Sequence, residues 1–189
     1  MRLNLGCGNR KREGWVNVDV APECRPDELV DLESLPWPWP DDSADEVVLC
    51  HVLEHLGAET RVYLGVLKEL WRVCKAGAKV TVVVPHPRHD HFLNDPTHVR
   101  PVTPQGLELL SQERNREWAR EGAANTPLGL HLGVDFRLES VHFNPDEPWR
   151  GRFRRGEITA ADLNEAMRLY NNVISEITMV LRAVKPPGG

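Results

Sequence analysis

Glycine and aspartate residues follow the first two short apolar segments of the chain. Gly6-Cys7-Gly8 comes directly after residues 3–5, and Asp19 lies near the end of residues 16–20. A glycine has no Cβ, so the backbone at Gly6 and Gly8 can turn sharply and approach a ligand closely. A carboxylate in the position of Asp19 can accept hydrogen bonds from both hydroxyls of a ribose. Each residue alone would also fit an ordinary turn, but their order predicts a nucleoside-type site.

The next two apolar segments also end in groups that could contact a ligand. Asp31-Leu32 follows residues 28–30, and Cys50-His51 ends residues 46–50. An aspartate there can accept from an adenine amino group while the leucine packs on the ring. Because the carboxyl ends of parallel strands meet at one edge of a sheet, all four strand ends are expected to surround one site.

Histidines and aspartates are concentrated after the fifth apolar segment, residues 79–84. Imidazoles suit deprotonation of a substrate hydroxyl or amine, and they are also ordinary metal ligands. Three interpretations therefore stay open: hydrogen bonds that stabilise the loop, substrate binding or general-base catalysis, and a divalent metal site. We predict His98 and His89 as the pair that faces the substrate. The residues concerned are His86, His89, Asp90, His91, Asp95 and His98.

Residues 51–55 spell H-x-x-E-H, which is a zinc-peptidase pattern when both histidines lie on one face of a helix. Here the pattern spans a strand end and a helix start, and no third ligand follows in a helical setting. We therefore predict no metal site from it.

A second segment of interest is residues 149–155, where aromatic side chains alternate with four arginines. This mixture can stack on bases and pair with phosphates. A charged surface loop is the alternative that the acidic composition favours.

The elements that must position these residues follow from the hydrophobic pattern. Five Val- and Leu-rich segments, each bounded by Gly, Pro or Asp, are typical of a parallel sheet covered on both faces. Residues 59–75 show the spacing of one helical face, with a stop at Gly77. Irregular structure is expected after residue 84, then a helix over 104–112 that could extend to 120. Strands are predicted at 137–143 and 174–184, with a helix from a capping box at Thr159.

The composition limits the classes of function. The chain has 189 residues and a net charge of −5, which fits one domain over 1–189 and argues against non-specific nucleic-acid or membrane binding. No signal peptide is recognisable at the start and no segment approaches the length of a membrane helix. The four cysteines form no C-x-x-C pair, so we expect a reducing, cytoplasmic location. The PPGG end is expected to be a frayed tail.

With these features the sequence resembles the class I S-adenosylmethionine-dependent methyltransferases, in particular the type 11 domains. The resemblance rests on LNLGCGN at 3–9, NVDV at 17–20 and the long segment 31–56 that ends in HVLEHL. It implies an α/β Rossmann-like fold: a mostly parallel seven-stranded sheet with an antiparallel last strand and a reduced first helix. It also implies S-adenosyl-L-methionine as cofactor. By the same resemblance, the methionine part would contact Gly6, Cys7, Gly8 and Asn9, the ribose Asp19 with Val20 beside it, the adenine Asp31 and Leu32, and the sulfonium side Cys50, His51 and His55.

One departure from the family pattern concerns the first crossover. Only about ten residues separate Gly8 from Asp19, and Lys11 stands where a third glycine would fall. A full first helix does not fit, so the usual helix N-terminus for the methionine carboxylate is in doubt. Lys11 or Arg12 could supply the missing anion contact, although a solvated basic turn is the more ordinary interpretation.

The resemblance implies methyl transfer to an O or N atom of an acceptor that we predict to be a small molecule. Residues 85–135 and 144–172 are the segments expected to cover the acceptor site. The alternatives are a nucleic-acid or protein acceptor and a non-catalytic S-adenosylmethionine-binding domain. No N-P-P-Y or D-P-P-Y string follows the fourth strand, which disfavours DNA amino-methylation. A nucleotide-dependent oxidoreductase would need the full G-x-G-x-x-G and a crossover helix. A homodimer is left open.

Overall fold

The computed structural model describes residues 1–186, which form one seven-stranded sheet with helices around it. The predicted frayed tail falls largely on residues 187–189, outside the described part. The strand order is β3-β2-β1-β4-β5-β7-β6. The strands are Arg2–Leu5 (β1), Val16–Asp19 (β2), Glu28–Leu29 (β3), Ala44–Cys50 (β4), Cys74–Pro85 (β5), Phe136–Pro145 (β6) and Ile174–Ala183 (β7).

The strands β1 to β5 pair in parallel, and β7 runs antiparallel to both of its neighbours, β5 and β6. The predicted Rossmann-like fold with an antiparallel last strand is confirmed. The central strands are buried on both faces because helices and loops cover each side, as expected for a sheet of this kind. Leu5, Leu49 and Val82 have no exposed surface and belong to the main core.

Seven α-helices are present within residues 1–186. They are Thr60–Val73 (α1), Asp90–Leu93 (α2), Pro104–Glu108 (α3), Gln112–Glu121 (α4), Leu128–Leu132 (α5), Trp149–Arg154 (α6) and Ala160–Leu169 (α7). None of the helices in this range has the length and apolar character needed to cross a bilayer.

The first long helix, α1, forms where its apolar spacing predicts it, but it ends earlier than expected. Val66, Leu67 and Leu70 are buried on its inner face. The helix stops at Val73, not at Gly77, because the last carbonyls accept from the backbone N–H groups of residues 42 and 43. The chain then enters β5 directly at Cys74. Gly77 lies inside that strand.

Two differences from the sequence expectation concern the segments after β5. The helix predicted from residue 104 is broken into α3 and α4, because Ser111 caps a new helix by accepting from the N–H of Arg114. The loop after β5 contains the short helix α2. By contrast, the capping box of α7 forms as predicted, with Thr159 and Asp162 each accepting from the other's backbone N–H.

No helix forms between β1 and β2, so the first crossover is a loop. Side-chain hydrogen bonds from two buried asparagines hold this loop in place. Asn4 Nδ2 donates to Asn17 Oδ1 (2.9 Å) and to the carbonyl of Arg10 (3.1 Å), while the N–H of Arg12 donates to Asn17 Oδ1 (2.7 Å). Asp27 accepts from both the backbone N–H and Nδ2 of Asn17. Side-chain hydrogen bonds therefore hold this crossover loop in place, as helix packing does in a full crossover.

Candidate cofactor and acceptor site

The glycine turn after β1 has a conformation that only glycine adopts without strain. Gly6 has φ +62°, and a Cβ there would lie 2.3 Å from Cγ2 of Val52. Gly8 has φ +47° and open space around it. Its N–H donates to Oδ2 of Asp19 (2.7 Å), which ties the turn to the end of β2. The turn is therefore fixed in position before any ligand binds.

Asp19 is held from two sides and still borders open space. Oδ2 accepts from Gly8, and Oδ1 accepts from the N–H of Ala21 (3.0 Å). Each carboxylate oxygen has two lone pairs, so each can accept one further hydrogen bond. Asp19 can therefore receive two hydroxyl donors without losing its structural bonds.

A first cavity of about 340 Å³ lies at the carboxyl ends of β1, β2, β3 and β4. One wall is polar backbone and carboxylate, and the others are mainly aliphatic, which suits a flat heterocycle joined to a polyol. We call it the nucleoside cavity. It is lined by Gly6, Gly8, Asp19, Val20, Val30, Asp31, Leu32, His51, Val52, His55 and Leu56.

A second cavity of about 780 Å³ lies beside the first, at the ends of β6 and β7. We call it the arginine cavity. Three of its residues come from α6, where the spacing 150, 153 and 154 places them on one helix face. It is lined by Arg10, His51, His91, His142, Phe143, Asn144, Pro145, Arg150, Phe153, Arg154, Leu163, Ser175 and Glu176.

His51 lines both cavities. It follows β4 with φ +55°, a backbone conformation that is uncommon for a residue with a side chain. Its Nε2 lies 2.9 Å from Oε2 of Glu176, and its Nδ1 lies 3.5 Å from Oε1 of Glu54. The carboxylates of Glu54 and Glu176 raise the pKa of the imidazole, against the opposing effect of burial.

The arginine cavity carries an excess of positive charge. No ion pair involves Arg10 or Arg154 within residues 1–186, whereas Arg150 pairs with Glu147 (3.1 Å). The carboxylate of Glu176 is already engaged by His51 and by Nδ2 of Asn144 (2.8 Å). An anionic group entering the cavity would therefore meet guanidinium donors whose charge is not neutralised.

The methyltransferase domain family model matches residues 16–82, which is less than half of the chain. The resemblance to class I methyltransferases is confirmed. The fold agrees as well: an S-adenosylmethionine-dependent methyltransferase from Archaeoglobus fulgidus is 18% identical with a TM-score of 0.64, covering 96% of this chain and 85% of its own. One from Methanosarcina mazei is 15% identical with a TM-score of 0.58, covering 98% and 92%.

A third neighbour widens the range of chemistry found on this fold. The [4+2]-cyclase SpnF is 17% identical with a TM-score of 0.51, and the match covers 99% of this chain and 75% of that protein. No curated protein matches the sequence.

In this methyltransferase fold, eight of the eleven predicted cofactor residues line the nucleoside cavity, and three do not. Cys7 is buried, with its Sγ directed to the carbonyl of Gly8 (3.4 Å), and Asn9 is exposed. Cys50 is half-buried and lines neither cavity. Burial raises the pKa of both thiols, so neither is a ready thiolate. The eight are Gly6, Gly8, Asp19, Val20, Asp31, Leu32, His51 and His55.

The two histidines predicted to face the acceptor line neither cavity. His89 is 3% exposed; its Nε2 bonds to Asp146 (3.0 Å), and its Nδ1 accepts from the N–H of His91. The ring of His98 bonds to the carbonyl of Phe92 (2.9 Å). These hydrogen bonds stabilise the loop, as in the first of the three interpretations of the histidine-rich segment. Of the six residues in the histidine-rich segment, only His91 lines the arginine cavity.

The basic residues predicted as alternative anion partners also lie outside both cavities. Lys11 Nζ is 3.7 Å from Asp27, and the Arg12 guanidinium stacks on Trp15. Arg10, which was not among the predicted anion partners, reaches the arginine cavity instead. Its position directly after the glycine turn is the one sequence signal that could have identified it.

Proposed function

We propose that this protein transfers a methyl group from S-adenosyl-L-methionine to an O or N atom of an acceptor bound in the arginine cavity. The family match and the fold both indicate S-adenosylmethionine as the cofactor. The observation that carries the proposal is the pair of adjoining cavities that share His51. One cavity suits a nucleoside, and the other leaves room for a second molecule beside it.

The residues of the nucleoside cavity would bind and orient the cofactor. Asp19 would accept from the ribose hydroxyls, Asp31 from the adenine amino group, and Leu32 would pack on the base. Arg10 would pair with the methionine carboxylate in place of the missing helix N-terminus, because it follows the glycine turn and has no ion-pair partner within the described residues.

The sulfonium supplies an electrophilic methyl group and a good leaving group. What the protein contributes is alignment of the acceptor atom with that methyl and exclusion of water. His51 lies where the two cavities meet, so its imidazole would contact the reacting atoms. We therefore assign it this position in preference to His89 and His98.

We further propose that the acceptor is a small molecule with an anionic group such as a phosphate or carboxylate. Arg154, which has no ion-pair partner within residues 1–186, would bind that group, and Phe143 and Phe153 would pack against an apolar part. The net charge of −5 argues against a long nucleic acid as the acceptor.

A product screen with methyl-labelled cofactor tests this function. Small-molecule extracts, before and after phosphatase treatment, and separate RNA and protein pools would be offered to the enzyme at limiting cofactor, with Asp19→Ala as the control weakened in cofactor binding. We expect a labelled small molecule that depends on Asp19, and its loss on phosphatase treatment if the anion is a phosphate. Label that enters only RNA or protein would favour the alternative acceptors.

The second candidate function is binding of S-adenosylmethionine without methyl transfer. The cyclase neighbour supports this candidate, because a protein of similar fold is named for a reaction other than methyl transfer. Tight cofactor binding with no labelled product in any pool would favour this candidate.

A further inference from the structure

Glu54 has a buried carboxylate without a hydrogen-bond partner in the described structure. Its side chain has no exposed surface, and neither carboxylate oxygen has a hydrogen-bond partner within residues 1–186. The nearest basic atom, Nδ1 of His51, lies 3.5 Å away and is itself drawn toward Glu176 through the other ring nitrogen. A buried ionised carboxylate is stable only when a cation or several donors compensate it. The ring of His51 lies near Oε1 alone, so Oε2 of Glu54 has no hydrogen-bond partner within residues 1–186.

Two imidazoles lie next to this carboxylate. One ligand atom each from Glu54, His55 and His98 all lie within 4.8 Å of one another. Glu54 and His55 belong to the short 3₁₀ helix after β4, and His98 comes from the loop after β5. The three residues thus converge from two separate segments of the chain.

The hydrogen bonds around the two rings define which nitrogen is free. Thr97 donates its single hydroxyl proton to Asp95 (2.6 Å), so its Oγ1 must accept from Nδ1 of His55 (2.9 Å). The carbonyl of Phe92 can only accept, so Nδ1 of His98 is also a donor (2.9 Å). Both rings therefore keep an unprotonated Nε2 when neutral, and Nε2 of His98 also lies 3.8 Å from Oδ2 of Asp95, beyond hydrogen-bond distance.

This arrangement is that of a metal ligand set. Metal-binding histidines typically donate the second ring N–H to a carbonyl or to a carboxylate-linked group, which fixes the tautomer. We propose that Glu54, His55 and His98 bind a divalent transition-metal ion of the zinc type. Two imidazoles and one carboxylate favour such an ion over magnesium or calcium, which prefer oxygen ligands. Three protein ligands leave a fourth position for water or a bound ligand.

The place of the site in the fold gives the ion a structural consequence. His55 lines the nucleoside cavity, and the backbone carbonyl of Glu54 accepts from the N–H groups of Val99 and Arg100. An ion held here would join the loop after β5 to the wall of that cavity. The site is distinct from the H-x-x-E-H peptidase pattern, because His98 and not His51 completes it.

Metal binding to the full-length protein tests the proposal without reference to activity. The purified protein would be stripped with a chelator and titrated by calorimetry with Zn²⁺, Mn²⁺ and Mg²⁺, with elemental analysis of the unstripped sample. We expect stoichiometric zinc-type binding and a higher melting temperature with the ion. His98→Gln should weaken zinc binding by roughly 100-fold.

Two histidine variants serve as matched controls. His131→Gln changes an exposed histidine of α5, and His51→Gln removes the histidine that the peptidase pattern would use in place of His98. Both should retain the ion. If His98→Gln fails to fold, the shift in melting temperature of the wild-type protein on adding and chelating zinc decides the question. Absence of that shift, or equal zinc affinity of His98→Gln and His131→Gln, would overturn the proposal.

Discussion

The two cavities differ in how far their lining residues can be recognised from the local sequence. The nucleoside cavity is built from strand ends within residues 6–56, and each contact follows an apolar segment in a recognisable order. The arginine cavity collects side chains from Arg10 to Glu176, on two loops, two strands and three helices. The first is a motif that the fold places at one sheet edge. The second exists only after the last two strands and α6 have packed, which is the usual origin of specificity on a shared fold.

Gly6→Ala is the substitution in the nucleoside cavity with the largest expected effect on stability. The added Cβ would meet Val52 at 2.3 Å, and φ +62° is strained for alanine. We expect the free energy of unfolding to fall by about 3 kcal/mol from strain and overpacking combined. Gly122→Ala is the control, because it has φ +72° with nothing within 4 Å. Chemical denaturation measures both, and equal losses would show that the Val52 contact is unimportant.

The second prediction separates cofactor binding from acceptor binding. Asp19→Ala removes a charged acceptor from the nucleoside cavity, so S-adenosylhomocysteine should bind more weakly by about 1 to 3 kcal/mol. Arg154→Gln should leave that affinity unchanged, because Arg154 lines only the arginine cavity. Calorimetric titration of the two variants makes the comparison. An unchanged affinity in Asp19→Ala would remove Asp19 from the site.

The third prediction addresses the arginine cavity alone. Once an acceptor is known, Arg154→Gln should raise its KM by about 10-fold through loss of a charged hydrogen bond. Arg155→Gln is the matched control on the same segment, because Arg155 pairs with Glu157 and does not line the cavity. Initial-rate measurements at saturating cofactor test this. Similar KM values for the two variants would contradict an anionic acceptor group held by α6.

The smallest predicted effect concerns the turn beside the nucleoside cavity. Glu69 accepts from the N–H of Trp37 (2.7 Å) and from Arg72, and the hydrogen bonds from Arg72 lower the pKa of this carboxyl. A lowered pKa stabilises the fold above the unfolded value near pH 4, and the contribution disappears as the pH falls through the folded value.

Glu69→Gln should therefore cost about 1 kcal/mol at pH 7 and less at pH 3. Denaturant unfolding of both proteins at the two pH values measures it. A difference in stability that stayed constant with pH would show that the charge of Glu69 contributes nothing.

Sequence patterns predicted the part of the site that depends on strand ends. Gly6, Asp19 and His51 reach the nucleoside cavity because residues that end or follow parallel strands must lie at the carboxyl edge of the sheet. The loss of the first helix was also predictable from the short span between Gly8 and Asp19. The use of Asn4 and Asn17 to hold that loop was not, because an asparagine inside a strand carries no signal of its partners.

The acceptor side was harder to predict because side-chain direction in a loop depends on tertiary contacts. His89 lies in the predicted segment, but Asp146, 57 residues later in the chain, bonds to its ring. The arginine-rich segment 149–155 is recognisable in the sequence, but only its helical form shows that Arg150 and Arg154 share a face while Arg155 does not. The approach of His98 to Glu54 likewise depends on the position of the loop after β5.

Calorimetric titration of the purified protein with S-adenosylmethionine and S-adenosylhomocysteine, with NAD as the comparison ligand, tests the central claim most directly. We expect both sulfur nucleosides to bind at one site per chain, NAD to give no heat of binding, and Asp19→Ala to weaken both sulfur nucleosides. Absence of binding by either sulfur nucleoside to the folded protein would contradict the assignment of the nucleoside cavity and, with it, the proposed methyl transfer.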